Sequence, residues 1–174
     1  MLVRRLLLAL CVLAAGVLGA RATRAEVSEV PALTPAESGL ELLRSMAGDW
    51  YELGPDGEPT DTLMSRVRVT AGGHAVHELH FPDTSMEMLT VYFVEGEELK
   101  LVHYCVLGNQ PQMRAVELTE DTLAFECTGM DDEDQSHMHG ARIESVSEGH
   151  NHVEWVNWVG GERNHAVAVD LIRQ

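Results

Sequence analysis

The chain has 174 residues, of which 28 are acidic, 12 are basic and nine are histidine, so its net charge is −16 with neutral histidines. Lys100 is the only lysine. A surface this acidic repels the phosphates of nucleic acids and of anionic membranes, and we expect neither as a partner.

The first residues have the composition of a secretory signal peptide. Two arginines at positions 4 and 5 precede an apolar stretch, and small residues at 20, 22 and 25 offer two cleavage motifs. We predict that residues 1–25 are a signal peptide, that residues 26–33 are a flexible leader, and that the protein is exported to the periplasm or the extracellular space. An uncleaved anchor helix is the alternative. Removal of residues 1–25 leaves eight basic and 28 acidic residues, a net charge of −20.

Residues 34–174 are predicted to form one domain that begins with a short helix. Thr34-Pro35-Ala36-Glu37 combines an N-cap residue, a proline at the first helical position and a glutamate three residues after the cap. Leu40 and Leu43 follow at helical spacing. The helix is expected to end near Gly48.

Short alternating segments then predict about ten β-strands. They lie near residues 49–53, 62–69, 74–81, 87–94, 99–107, 113–118, 122–128, 137–147, 152–159 and 164–172. Gly, Pro, Asp and Asn mark short connections, which favour antiparallel neighbours. We therefore predict an all-β fold, an antiparallel up-and-down β-barrel of about ten strands with a short N-terminal helix. A two-sheet sandwich is the alternative.

Reactive side chains on the fifth predicted strand lie on the same face of the strand as its leucines. Side chains alternate between the two faces of a strand. His103 and Cys105 therefore point in the same direction as Leu99 and Leu101, whereas Lys100 points away. This pattern predicts that His103 and Cys105 face the barrel interior.

The eighth predicted strand repeats the pattern. His137 and His139 alternate with Ala141 and Ile143, so they too are predicted to face inward. Strand direction in an up-and-down barrel brings a larger set of reactive residues toward one end: Cys105, Cys127, His137, His139 and His165, with His103 a little deeper. The loops predicted at that end are the longer ones, which is typical of a ligand-binding barrel.

The histidines near this end predict a binding site. Imidazole binds zinc, copper, iron and nickel, and two histidines two residues apart on a strand can share one metal ion. We expect His103, His137 and His139 to meet closely enough to hold one metal ion or one ligand. A polar pocket for an organic molecule and a hydrogen-bonded structural network are the alternatives for the same side chains.

Neighbouring residues extend this prediction. Cys105 is a secondary candidate ligand, and the loop amides of Asn109 and Gln110 can contact a bound molecule. A disulfide between Cys105 and Cys127 is disfavoured, because an intervening strand would separate their Cα atoms by about 10 Å, beyond the roughly 7 Å that a disulfide allows. The sequence contains no nucleophile elbow, phosphate-binding glycine loop or zinc-protease motif, so an enzyme is the less favoured class.

Gly48-Asp49-Trp50, directly after the predicted helix, resembles the Gly-x-Trp signature of the lipocalins and the wider calycin barrels. The resemblance implies that Arg173, near the end of the last strand, packs across Trp50. The number of strands is more similar to that of fatty-acid-binding proteins or nitrobindin. Similarity to nitrobindin implies a haem, with His165 as the candidate axial ligand. The chain also resembles secreted bacterial proteins of this type, which implies no particular activity.

These patterns together predict an exported, single-domain barrel of calycin type that binds a small molecule or a metal ion in its open end. The alternatives are a haem-binding barrel of nitrobindin type and a structural or interaction protein of the cell envelope with a filled interior. A transition metal and haem are the cofactors that the histidines suggest.

We expect residues 1–25 to be absent from the exported protein, because their charge and apolar pattern are those of a segment cleaved during secretion. Mass spectrometry of the protein recovered from its export compartment measures the N-terminus directly. An exported chain that begins at Met1 would contradict this prediction.

Overall fold

A computed structural model describes residues 32–130 and 135–174, with His165 and Ala166 described by their backbone alone. The predicted signal peptide and most of the predicted leader lie outside the described residues. Within the described part of the chain, no helix has the length and apolarity needed to span a membrane.

The predicted N-terminal helix is present as α1 (Pro35–Ser45). Thr34 is its N-cap, and the capping box is complete: the backbone N–H of Glu37 donates to Thr34 Oγ1 at 3.2 Å, and the backbone N–H of Thr34 donates to Glu37 Oε2 at 2.7 Å. Leu40 and Leu43 are buried on the face of α1 that packs on the barrel. The helix therefore covers one end of the barrel with its apolar side.

Ten antiparallel strands follow and close into a barrel. They are β1 (Gly48–Leu53), β2 (Pro59–Thr70), β3 (Ala75–His80), β4 (Met88–Glu95), β5 (Glu98–Tyr104), β6 (Gln112–Leu118), β7 (Thr122–Gly129), β8 (His137–Ser147), β9 (His150–Val159) and β10 (Glu162–Arg173). Each strand pairs with its neighbours in sequence, and β1 pairs with β10. The up-and-down barrel is thus confirmed, and the sandwich alternative is wrong.

The seam between β1 and β10 is held by a tryptophan and an arginine. Trp50 pairs with Arg173 in the register of the two strands and is only 2% exposed. Its indole Nε1 donates to the carbonyl of Met46 at 2.8 Å, and the Arg173 guanidinium carbon lies 5.5 Å from the indole ring centroid. Arg173 also donates to the carbonyl of Ser45 at 2.6 Å. The predicted packing of Arg173 across Trp50 is confirmed.

Steric crowding explains why the first residue of the Gly-x-Trp motif is a glycine. Gly48 has a φ of +156°, and a Cβ atom at this position would lie 2.5 Å from Cδ of Arg173. A side chain at position 48 would therefore occupy the space of the arginine stem. The motif and Arg173 form one structural unit at the end covered by α1.

Replacing Trp50 with alanine should destabilise the fold by about 3–5 kcal/mol, because the change removes a fully buried aromatic ring and leaves a cavity beside α1. Urea denaturation measures the free energy of unfolding.

Tyr104, which is 48% exposed, provides the matched aromatic control. Tyr104→Ala is expected to change the free energy of unfolding by no more than about 0.5 kcal/mol. Equal losses in the two variants would contradict the role assigned to Trp50.

Candidate functional site

The end of the barrel opposite α1 contains a cavity of about 360 Å³. Its wall is mostly apolar and is formed by Phe81, Met86, Met88, Val106, Leu107, Met138, Trp155 and Val167. Its polar lining consists of His80, His103, Cys105 and Asn157. This volume is at the small end of the range that ligand pockets occupy.

Two buried histidines in this wall share one threonine hydroxyl. Thr90 Oγ1 lies 2.8 Å from Nε2 of His80 and 2.9 Å from Nδ1 of His103. A hydroxyl has one proton to donate, so it donates to one imidazole and accepts from the other. Nε2 of His103 has no hydrogen-bond partner within the described residues. That nitrogen is therefore available to a molecule in the cavity.

A second pair of polar side chains lies between His80 and α1. Nδ1 of His80 is buried without a hydrogen-bond partner among the described residues and lies 3.7 Å from Oε1 of Glu78. The Tyr92 hydroxyl donates to Oε2 of Glu78 at 2.7 Å. Burial, together with the charge of Glu78, raises the pKa of Tyr92 well above its ordinary value, so the hydroxyl keeps its proton. Polar side chains from β3, β4 and β5 thus lie close together inside the barrel, with a gap in hydrogen bonding at Nδ1 of His80.

His103 is neutral at physiological pH. Burial disfavours its charged form, and the neighbouring His80 acts in the same direction, so the pKa of His103 falls to about 3. A neutral imidazole can donate or accept one hydrogen bond at Nε2, but it cannot balance the charge of an anion. The polar part of this cavity is therefore suited to an uncharged partner.

The structure does not assemble the expected set of His103, His137 and His139. The register of β8 against β9 passes from Met138 opposite Asn157 directly to Gly140 opposite Val156, so His139 is the extra residue of a β-bulge. The prediction that His137 faces inward assumed a regular alternation of side chains along β8. The bulge interrupts that alternation. Met138, rather than either histidine, lines the cavity beside Trp155.

His137 and His139 instead meet Cys127 from β7. The ligating atoms of the three residues all lie within 4.8 Å of one another, and Nε2 of His137 is 3.0 Å from Nδ1 of His139. Nδ1 of His137 lies 2.7 Å from the carbonyl oxygen of Gln135. Two imidazoles and a thiol form a donor set that transition metals bind.

An aromatic ring and an ion pair surround this cluster. Trp158 stacks on His139 with 4.8 Å between ring centroids and lies 6.4 Å from His137. Arg163 pairs with Glu126 at 3.1 Å. Partial burial, followed by the effects of His137 and Arg163, lowers the pKa of His139. Both imidazoles are thus held in a defined orientation by neighbours outside the cavity wall.

The remaining predicted site residues are distributed over separate places. Asn109 and Gln110 line a polar groove of about 380 Å³ rather than the apolar cavity. Asn109 Nδ2 donates to the carbonyl of Ser136 at 2.8 Å and so joins the β5–β6 loop to the start of β8. A role of these amides in binding stays a prediction. The side chain of His165 lies outside the described residues, so its role as a haem ligand also stays a prediction.

Cys105 lies in the cavity wall, with its sulfur 3.9 Å from that of Met88. It is a free thiol in this structure. Cys105 does not belong to the cluster that contains Cys127.

Sequence reasoning did not single out His80, Thr90 or Glu78 as inward-facing residues. A signal was present, since Val76, Glu78 and His80 alternate along β3 and all three are buried. Two of these three side chains are polar, however, and alternation of polar residues alone is more typical of a solvated face. Their burial depends on partners from the adjacent strand.

Comparison with protein-family models finds no match for this chain, and comparison with curated proteins finds none either.

The free energy of unfolding should decrease as the pH falls from about 6.5 toward 3. An unfolded histidine ionises near pH 6.5, whereas His103 in the fold has a pKa of about 3, so the unfolded state binds more protons in this window. In His103→Asn the decline should be less steep by roughly 1 kcal/mol per pH unit. Denaturant unfolding at several pH values measures both slopes.

Nuclear magnetic resonance of the imidazole nitrogens measures the protonation state of His103 independently of unfolding. His103 should show the neutral form at pH 5, where an exposed histidine is charged. An imidazolium signal from His103 at that pH would contradict the assignment.

Proposed function

We propose that this protein acts after export and binds a small uncharged molecule, with an apolar body and one hydrogen-bonding group, in the cavity at the open end of its barrel. The observation that carries the proposal is the cavity of about 360 Å³ whose apolar wall encloses the accessible nitrogen of His103. An apolar pocket with a few convergent polar groups is the usual form of a small-molecule site.

The charge of the ligand follows from the wall of the cavity. No lysine or arginine lines it among the described residues, and His103 is neutral because of its low pKa. A carboxylate placed at Nε2 of His103 would meet a neutral imidazole there, and burying an unpaired charge is costly. An alcohol, aldehyde or ketone would instead form one hydrogen bond with Nε2 of His103 and leave its alkyl part against the wall.

The entrance of the cavity is also apolar. Met86, Val106, Leu107 and Val167 line it and are each between 41% and 55% exposed. Large apolar side chains kept in water at the mouth of a cavity suit the passage of an apolar molecule better than that of an ion. The same cavity favours ligand binding over a structural barrel with a filled interior.

An uncharged fluorescent probe tests the cavity. Nile red should bind the protein with a rise and a blue shift of its emission, because the dye leaves water for an apolar site. Met88→Trp places a larger side chain in the cavity and should weaken Nile red binding at least about tenfold, equivalent to 1.4 kcal/mol. The matched control is Val116→Trp, at a position that is 51% exposed and does not line the cavity.

Competition tests the charge of the ligand. Decanol should displace Nile red at a concentration at least about tenfold lower than decanoate does, because only the carboxylate must be buried without a counter-charge. Preferential displacement by decanoate would reject the proposal for an uncharged ligand. Unchanged Nile red binding in a folded Met88→Trp variant would reject the cavity as the site.

A further inference from the structure

We propose that Cys127, His137 and His139 form a zinc site at the rim of the barrel, separate from the residues that line the cavity. These ligands differ from the set of three histidines that the alternation of side chains in the sequence predicts. It also goes beyond the proposed binding function, because His103 and Cys105 line the cavity and take no part in it.

The spacing of the ligand atoms is close to what a tetrahedral zinc ion needs. Two nitrogens bound to zinc at about 2.0–2.1 Å are roughly 3.3 Å apart, and a bound sulfur lies about 3.6 Å from each of them. Nε2 of His137 and Nδ1 of His139 are 3.0 Å apart, and one ligand atom from each of the three residues lies within 4.8 Å of the other two. Binding therefore requires shifts of about 1 Å between ligand atoms.

The hydrogen bonds leave the correct nitrogen of His137 available. Nδ1 of His137 faces the carbonyl oxygen of Gln135 at 2.7 Å, and only a protonated Nδ1 can bond to that oxygen. The proton is thus on Nδ1, and Nε2 carries the lone pair that points at His139. Zinc-bound histidines commonly donate their second ring nitrogen to a backbone carbonyl in this way.

The bulge and Trp158 hold the second imidazole in place. His139 is the bulged residue, which frees its side chain from the alternation of β8, and bulges next to functional sites re-aim side chains in this manner. Trp158 stacks on its ring at 4.8 Å and limits its rotation. Gly140 allows close contact with β7, since a Cβ atom there would lie 3.0 Å from the carbonyl oxygen of Phe125.

Zinc binding changes the protonation of two ligands. The thiol of Cys127 releases its proton to solvent and binds as a thiolate, so one proton is lost for each ion bound. The proton on Nδ1 of His139 moves to Nε2, which leaves Nδ1 free to coordinate. Three protein ligands leave one tetrahedral position for water or for an external ligand.

Cobalt(II) provides a spectroscopic test in the full-length protein, because it occupies zinc sites and absorbs light. After treatment with a chelator, titration with cobalt should give one bound ion and a thiolate-to-cobalt charge-transfer band in the near ultraviolet. Zinc should then displace the cobalt and remove the band. Cys127→Ser should lose the band, whereas Cys105→Ser should keep it.

The histidines are tested by paired double variants. The double variant His137→Ala, His139→Ala should weaken zinc binding by more than about 100-fold. Loss of a residue that only hydrogen-bonds to a metal ligand typically costs about 10–100-fold, and this variant removes two ligands themselves. His150→Ala with His152→Ala is the matched control, because these residues also stand two apart on one strand but bond to Asp170. Equal affinity in the two double variants would overturn the site, and so would a charge-transfer band that persists in Cys127→Ser.

Nile red binding distinguishes failure of this site from failure of the cavity. The variants at positions 127, 137, 139, 150 and 152, none of which lines the cavity, should bind the dye as the unchanged protein does, which also shows that their barrels are folded. Absence of the cobalt band in the unchanged protein would overturn the zinc site and leave the cavity proposal intact.

Discussion

Closure of the barrel depends on the pairing of β1 with β10, which among the ten described strands are the only paired neighbours that are not adjacent in sequence. Trp50 and Arg173 stand opposite each other at this seam, and both also bond to carbonyl groups at the end of α1. One interaction therefore joins the first strand, the last strand and the helix. Because closure defines an inside and an outside, the position of every other reactive side chain depends on it.

The cavity and the rim of the barrel have two different kinds of chemistry. Inside, two imidazoles and a hydroxyl are embedded among apolar side chains, and burial in this environment lowers the pKa of His103. At the rim, His137 is buried, Cys127 and His139 are partly buried, and the ion pair of Arg163 with Glu126 lies beside them. The first environment suits an uncharged organic molecule, and the second suits a cation.

The fold could be predicted closely from the sequence because strand alternation and turn residues are local signals. The helix cap at Thr34 was predicted for the same reason, whereas the packing of Arg173 across Trp50 was predicted from the resemblance of Gly48-Asp49-Trp50 to the Gly-x-Trp signature. The site was predicted less well, because the faces of His137 and His139 depend on a bulge that arises from contact between strands. The buried position of Glu78 similarly depends on the hydroxyl of Tyr92, which lies on the neighbouring strand. Such partnerships leave no periodic pattern in the chain.

The bulge at His139 also affects how this protein can change by insertion and deletion. An extra residue in a strand can be removed without altering the pairing on either side of it. Loss of residue 139 would leave Met138 opposite Asn157 and Gly140 opposite Val156, so the cavity would keep its lining while the rim lost one imidazole. A single-codon deletion or insertion at this point could thus remove or restore the metal-binding set without disturbing the barrel.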